Sequence, residues 1–191
     1  MLTDYILGLL SALKEADADT RIKVASALRM LEDKRAVQGL IEALDDECKK
    51  VRHEAIRALS SIADKSSYNM LINRLNDEDW IIREWAAFGL GNIGDRKAVE
   101  HLICSLSDED ESVRRAAVCA LGDLGDSRAV DALILALEDP ELHALAALSL
   151  GDIGDERALV PLMRFQGIDK RGLPNYTSTA IRSIMKSGTR R

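Results

Sequence analysis

The feature that most constrains this chain is self-similarity at a fixed spacing of 31 residues. Ile6, Val37, Tyr68, Val99 and Val130 stand 31 residues apart. The pairs Leu9-Leu10, Leu40-Ile41, Leu71-Ile72, Leu102-Ile103 and Leu133-Ile134 follow in phase, with Leu13, Leu44, Leu75, Leu106 and Leu137 behind them. Apolar residues at i, i+3, i+4 and i+7 predict a first helix with one buried stripe in every unit. An acidic turn follows, with Asp46, Asp77, Asp108 and Asp139 in register, where a carboxylate can cap the next helix and favour its positive end. The second helix carries Ile82, Ala86, Leu90 and Ile93 in the third unit and Val113, Ala117, Leu121 and Leu124 in the fourth, again a single apolar face. A hairpin standing alone would leave its stripe in water, so the units must stack and bury one another. The pattern predicts an all-α fold, an α-α superhelix (solenoid) of about six helical hairpins. Composition agrees: aromatics are only 4% and prolines only three, which favours helix over sheet.

The whole chain, 1–191, reads as one repeat array, with 1–33 as an N-terminal cap repeat, 34–155 as four central repeats and 156–191 as a divergent C-terminal cap. The fifth unit is two residues short: Leu121-Gly122-Asp123-Leu124-Gly125 recurs as Leu150-Gly151-Asp152-Ile153-Gly154 after 29 residues, and the deletion falls at Asp139-Pro140-Glu141. The sixth unit opens at Arg157-Ala158-Leu159. It then predicts a loop from Gly167 to Pro174 and a closing helix from about Asn175 to Met185.

The string Leu121-Gly-Asp-Leu-Gly-Asp126-Ser-Arg128-Ala-Val130, followed by Leu133-Ile134, resembles the HEAT-like repeats of the phycobilin lyase type. So does the Val113-Arg114-Arg-Ala-Ala117 opening of a second helix, and the likeness spans nearly the whole chain. The resemblance implies the fold. It leaves activity open, because related repeats serve bilin lyases, hydroxylases, DNA glycosylases and plain scaffolds. Deoxyhypusine hydroxylases resemble the chain too, and that resemblance implies several His-Glu pairs at second-helix starts holding two iron atoms. His53-Glu54 is one such pair, but the next slots read Glu84-Trp85 and Arg115-Ala116, so the ligand set is incomplete. His53 followed by Arg57 also lacks the second histidine of a zinc HExxH motif, and a surface histidine is expected.

Net charge is −6, and the basic residues Lys170, Arg171, Arg182, Lys186, Arg190 and Arg191 follow Asp169 with no acid among them, so residues 1–169 carry −12. Such a body argues against nucleic acid as the ligand. No uncharged run is long enough to cross a bilayer. The start Met1-Leu2-Thr3-Asp4-Tyr5 lacks the basic region of a secretory signal, and Cys48, Cys104 and Cys119 lack CxxC spacing. Both observations point to a cytoplasmic protein with reduced thiols.

Gly89-Leu-Gly91-Asn-Ile-Gly94 spells a dinucleotide fingerprint, GxGxxG. That motif must follow a strand and open a helix, whereas here the glycines close a second helix, with Gly94, Gly125 and Gly154 as expected C-caps. Arg21, Arg52, Arg83 and Arg114 also recur at 31 residues. We expect each to pair with a turn aspartate of its own or an adjacent unit, Asp46, Asp77 or Asp108 among them, as a structural ladder that clamps neighbouring repeats. No nucleophile, base and orienting group stand at a workable spacing, so neither a catalytic residue nor a cofactor is assigned.

Slots that change character from unit to unit mark the expected surface. On the second helices these include His53, Arg57, Glu84, Asn92, Arg115 and Asp123. In the third unit Ile81, Trp85 and Phe88 share a stripe distinct from the core series, with Trp80 just before them. We expect this aromatic patch to be a partner-binding hot spot on the concave face, rimmed by those polar residues. The competing expectation is that Trp85 and Phe88 fold over to fill space between thin, alanine-rich helices. The function that follows is a scaffold or adaptor binding a protein or peptide. The alternative is a bilin-lyase-like protein holding a tetrapyrrole for attachment to a carrier protein.

Overall fold

The computed structural model describes residues 2–165 and 176–188, and every regular element among them is helical. The expected loop from Gly167 to Pro174, together with Asn175, Arg190 and Arg191, lies outside the described residues. The chain divides into two compact units, Met1–Ile93 and Gly94–Arg191. The first contains α1 (Leu2–Glu15), α2 (Ala18–Leu31), α3 (Val37–Glu42), α4 (Lys49–Ile62), α5 (Tyr68–Arg74) and α6 (Trp80–Ile93). The second contains α7 (Val99–Ser105), α8 (Glu111–Leu124), α9 (Val130–Ala136), α10 (His143–Ile153), α11 (Leu159–Arg164) and α12 (Tyr176–Gly188). In each unit consecutive helices pack as hairpins. The second helices pack in series, α2 on α4 and α4 on α6 in the first unit, α8 on α10 and α10 on α12 in the second.

Each hairpin from the second onward is entered through an aspartate. Asp33, Asp64, Asp95, Asp126 and Asp155 accept the backbone N–H two residues on, at 2.9–3.0 Å. A 3-10 turn follows, ending on a small, fully buried residue: Ala36, Ser67, Ala98, Ala129 or Ala158. These turns lead into short first helices of six or seven residues.

The acidic turn between the helices corrects one expectation. Asp46, Asp77, Asp108 and Asp139 accept the N–H groups of Cys48, Asp79, Asp110 and Glu141 at 2.8–3.0 Å, closing the turn itself. Capping belongs to residues nearer the helix: Asp79 accepts from Ile81 N–H at 3.1 Å and Asp110 from Ser112 N–H at 2.8 Å. A side chain that closes this turn stands two positions before the N-cap, too early to reach the free amides of the next helix.

At the other end, Gly94, Gly125 and Gly154 turn the chain with φ of 73°, 58° and 74°. Glu32 and Ala63 occupy the same left-handed position in the first two hairpins, with φ of 48° and 49°. The Gly89-Gly91-Gly94 string therefore lies in and just after a helix, with no strand before it.

Leu40, Leu71, Leu102, Leu133 and Leu162 of the first helices are fully buried, as are Ile56, Leu59, Ala86, Leu90, Ala117, Leu121, Ala146 and Leu150 of the second helices, and each first helix packs on the second helix of its hairpin. Each such leucine contributes roughly 1.5–3 kcal/mol by leaving water. The shortened fifth unit loses its residues from the start of a helix as well as from the turn: α10 has 11 residues where α4, α6 and α8 have 14. Among the described residues no helix is long and apolar enough to cross a membrane.

Candidate partner-binding face

Within the first unit, α6 divides its apolar residues between two sides. Ile82, Ala86, Leu90 and Ile93 are buried. Trp85 and Ile81 are half-buried, while Phe88 is 40% and Trp80 41% exposed. Trp85 and Phe88 meet edge to face, with ring centroids 5.4 Å apart and planes at 76°, an arrangement worth about 0.5–1.5 kcal/mol beyond burial. Of the pair, Trp85 is the more buried and Phe88 the more exposed.

Arg57, from α4, lays its guanidinium 5.6 Å from the centre of the Trp85 indole. Its Nη1 donates to Glu54 Oε1 at 2.8 Å. Arg29 of α2 reaches the other oxygen of the same carboxylate at 3.9 Å. The result is a row across three successive second helices: Arg29, Glu54, Arg57, Trp85, Phe88. Glu84 is half-buried on the same helix as the aromatics. Asn92 is exposed, but its Nδ2 donates to the Ser60 carbonyl at 3.0 Å, so it stitches α6 to α4.

His53, expected at the surface, is largely buried. Its side chain is 13% exposed and its Nε2 lies 2.6 Å from Asp79 Oδ2, itself 5% exposed. Lys49 reaches the same oxygen at 3.3 Å. Burial pushes the Asp79 carboxyl up, but the hydrogen bonds from His53, the Ile81 N–H and Lys49 outweigh it and hold the group below the usual carboxylate range. The sequence signal for this pairing was Asp79 itself, an acid at the last turn position where the preceding unit has Cys48.

The second unit carries the remaining expected face residues. Arg115 is exposed and bonds Glu111 of its own helix at 3.2 Å. Asp123 is exposed, and partial burial together with nearby Asp152 pushes its carboxyl up. Burial and Asp123 likewise push the half-buried Cys119 thiol up, against Arg115. Leu145 and Leu148, both half-buried, occupy on α10 the slots that Trp85 and Phe88 hold on α6. They went unremarked in the sequence because the fifth unit is out of phase by two residues.

The arginine series reaches the acidic turns through both carboxylates and carbonyls. Arg21 makes the bidentate pair with Asp46 of the next turn, at 2.7 and 2.9 Å. Burial pushes the Asp46 carboxyl up, and Arg21 with the Cys48 N–H outweighs it and holds the group low. Arg52, Arg83 and Arg114 send Nη1 to the main-chain carbonyls of Asp46, Asp77 and Asp108 in their own turns, at 2.8–2.9 Å. Arg114 also reaches Asp139 of the following turn at 3.8 Å. Among the described residues no three His, Cys, Asp or Glu side chains group to hold a metal ion.

A family model for HEAT repeats matches residues 6–75, 68–142 and 106–170. Among solved structures, the chain is similar to a crystallised engineered protein, with 22% identity, 96% of this chain and 97% of that chain covered, and a TM-score of 0.73. It is similar to YibA of Escherichia coli, with 22% identity over 96% of this chain and 69% of that one, at a TM-score of 0.74. A designed armadillo repeat protein in complex with peptide (KR)4 is 17% identical, covers 93% and 98%, and has a TM-score of 0.69. No curated protein matches the sequence.

Proposed function

We propose that this chain, which belongs to the HEAT-repeat family, is a scaffold or adaptor that binds a protein or peptide on the face lined by its second helices. The observation that carries the reading is the Trp85–Phe88 pair. Two aromatic rings stand edge to face beside the core series of α6, one of them 40% exposed, with Arg57 over the indole. Aromatic and arginine side chains clustered on a solvated face are the groups that dominate binding energy at protein interfaces. The designed armadillo protein it resembles in fold holds a peptide, which supports a polypeptide ligand for this arrangement of helices. The reading needs no catalytic group or cofactor.

The test is an affinity capture from the native host's lysate with the wild-type chain beside a Trp85→Ala/Phe88→Ala variant of matched helicity and melting temperature. The captured protein is then titrated against both by calorimetry. A partner bound by the wild type and lost by the folded variant supports the reading. Equal binding by both would remove the aromatic pair from the site. Titration with a bilin separates the alternative: a visible absorption band that depends on Trp85 and Phe88 would favour a tetrapyrrole holder over an adaptor.

A further inference from the structure

The row Arg29, Glu54, Arg57, Trp85, Phe88 has a charge imbalance that says what kind of peptide fits it, granted that this face binds a peptide at all. Two guanidinium groups share the single carboxylate of Glu54, one at 2.8 Å and the other at 3.9 Å. The Arg29–Glu54–Arg57 cluster therefore carries a net positive charge, with Glu84 beside the aromatic rings on α6, although the first 93 residues contain 13 basic and 16 acidic side chains. Both arginines remain accessible, 40% and 37% exposed, while the Nε of each is buried without an acceptor. The guanidinium of Arg57 is held over the Trp85 ring and tied to Glu54 at Nη1, so its orientation is set before any ligand arrives. Next to it lies the exposed edge of Phe88.

We propose that this row recognises an acidic side chain lying next to an apolar one in an extended peptide. The carboxylate sits at Arg29 and Arg57, and the apolar neighbour packs on Trp85 and Phe88. An incoming carboxylate supplies the negative charge that Glu54 alone cannot provide to two guanidinium groups, and it forms charge-assisted hydrogen bonds with them. A lysine or arginine in the same place meets like charge and loses its own hydration with no acceptor in return. The apolar side chain takes its affinity from burial against the two rings, so both halves of the motif are needed.

The experiment is a random-peptide display selection on the immobilised full chain. Trp85→Ala/Phe88→Ala and Arg29→Gln/Arg57→Gln variants of equal helicity serve as counter-targets. The expected winners carry Asp or Glu within two residues of an aromatic or branched apolar side chain. Synthetic versions should bind the arginine variant about tenfold more weakly, in line with loss of a charge-assisted pair. Exchanging the peptide's acid for its amide should produce the same loss on the unmodified protein, a readout that needs no protein variant to fold. Winners that are basic or uncharged, or acidic peptides indifferent to both exchanges, overturn the acidic-motif assignment while leaving the face as a peptide site. Failure to select any peptide that discriminates wild type from the Trp85→Ala/Phe88→Ala variant overturns the underlying peptide-binding reading itself.

Discussion

The hydroxyl of Ser60 on α4 donates to the main-chain carbonyl of Trp85 on α6 at 2.6 Å, so the residue at the centre of the candidate face is held from the seam beneath it. The Ile56 carbonyl of its own helix stands 2.8 Å from the same hydroxyl, so the two carbonyls share its one proton. Close approach is possible because Gly89 faces Ser60: a Cβ there would stand 2.8 Å from Ser60 Oγ and 3.0 Å from its Cα. The second unit uses the same pair in reverse, with Ser149 on α10 donating to Val118 on α8 at 3.0 Å and facing Gly122.

Gly89→Ala and Gly122→Ala should each destabilise the protein by about 1–3 kcal/mol, the range for overpacking a close-packed site. Alanine's better helix propensity, worth about 1 kcal/mol, is outweighed because the obstructing atoms include backbone, which cannot rotate away. Chemical denaturation measures the loss. Gly89→Ala should also shift tryptophan fluorescence in the native state, since it moves α6 against Ser60, and Gly122→Ala should not.

Glu32→Gly should raise stability by roughly 0.5–1 kcal/mol, and Gly125→Ala should lower it by about 1 kcal/mol. Both positions have positive φ, 48° and 58°, where a Cβ meets the neighbouring carbonyl. A Cβ on Gly125 would meet nothing else within 4 Å, so the measured loss isolates the backbone term. Melting temperatures of the two variants moving in the same direction would contradict the assignment of these positions as equivalent left-handed caps.

Asp79→Ala should be more damaging than Asp79→Asn, with the alanine variant losing about 3 kcal/mol, the scale of breaking a buried pair. Asparagine retains an acceptor for the Ile81 N–H but loses the charge facing His53 and Lys49. Because Asp79 is held below the usual carboxylate range, its contribution is present above the unfolded value and disappears as pH falls through the lowered one. The deficit of both variants should therefore shrink in acid, as read by denaturant midpoints across pH.

The entry aspartates set a second acid transition. Asp33, Asp64 and Asp126 are each held at about 2, chiefly by side-chain hydrogen bonds from Arg35, Ser66 and Arg128 respectively. Their stabilisation is complete above the unfolded carboxylate value, about 4, and is lost as pH falls from there toward 2. Far-UV circular dichroism during thermal melts should show a falling melting temperature across that window. Asp33→Asn/Asp64→Asn/Asp126→Asn should flatten the dependence.

The helices, their pairing and the buried leucines were legible from spacing alone, because a 3.6-residue period is a local property that needs no knowledge of neighbours. The turn chemistry was legible only in outline. Two aspartates per unit recur at 31 residues, and the one assigned to capping closes the turn, while the Asp33 series, passed over, opens each hairpin. Both look alike in a sequence, since either can bond an amide two residues on.

By itself, the sequence determined that this chain is a stack of helical hairpins with a surface that varies from unit to unit, because repetition at fixed phase leaves a hairpin only one way to bury its stripe. It also singled out Trp85 and Phe88 as anomalous on that surface. Only the tertiary structure decided what surrounds them. Arg29, Glu54 and Arg57 come from 28 to 59 residues earlier in the chain, and Arg57 reaches Trp85 while Arg29 reaches Glu54 through the packing of α2 on α4 and α4 on α6. His53 lost its place at the surface for the same reason, its partner Asp79 arriving from the next hairpin. Which side chains meet across a helix seam depends on the offset between helices. That offset is set by close approaches such as Ser60 against Gly89, a distance in space that no one-dimensional pattern records.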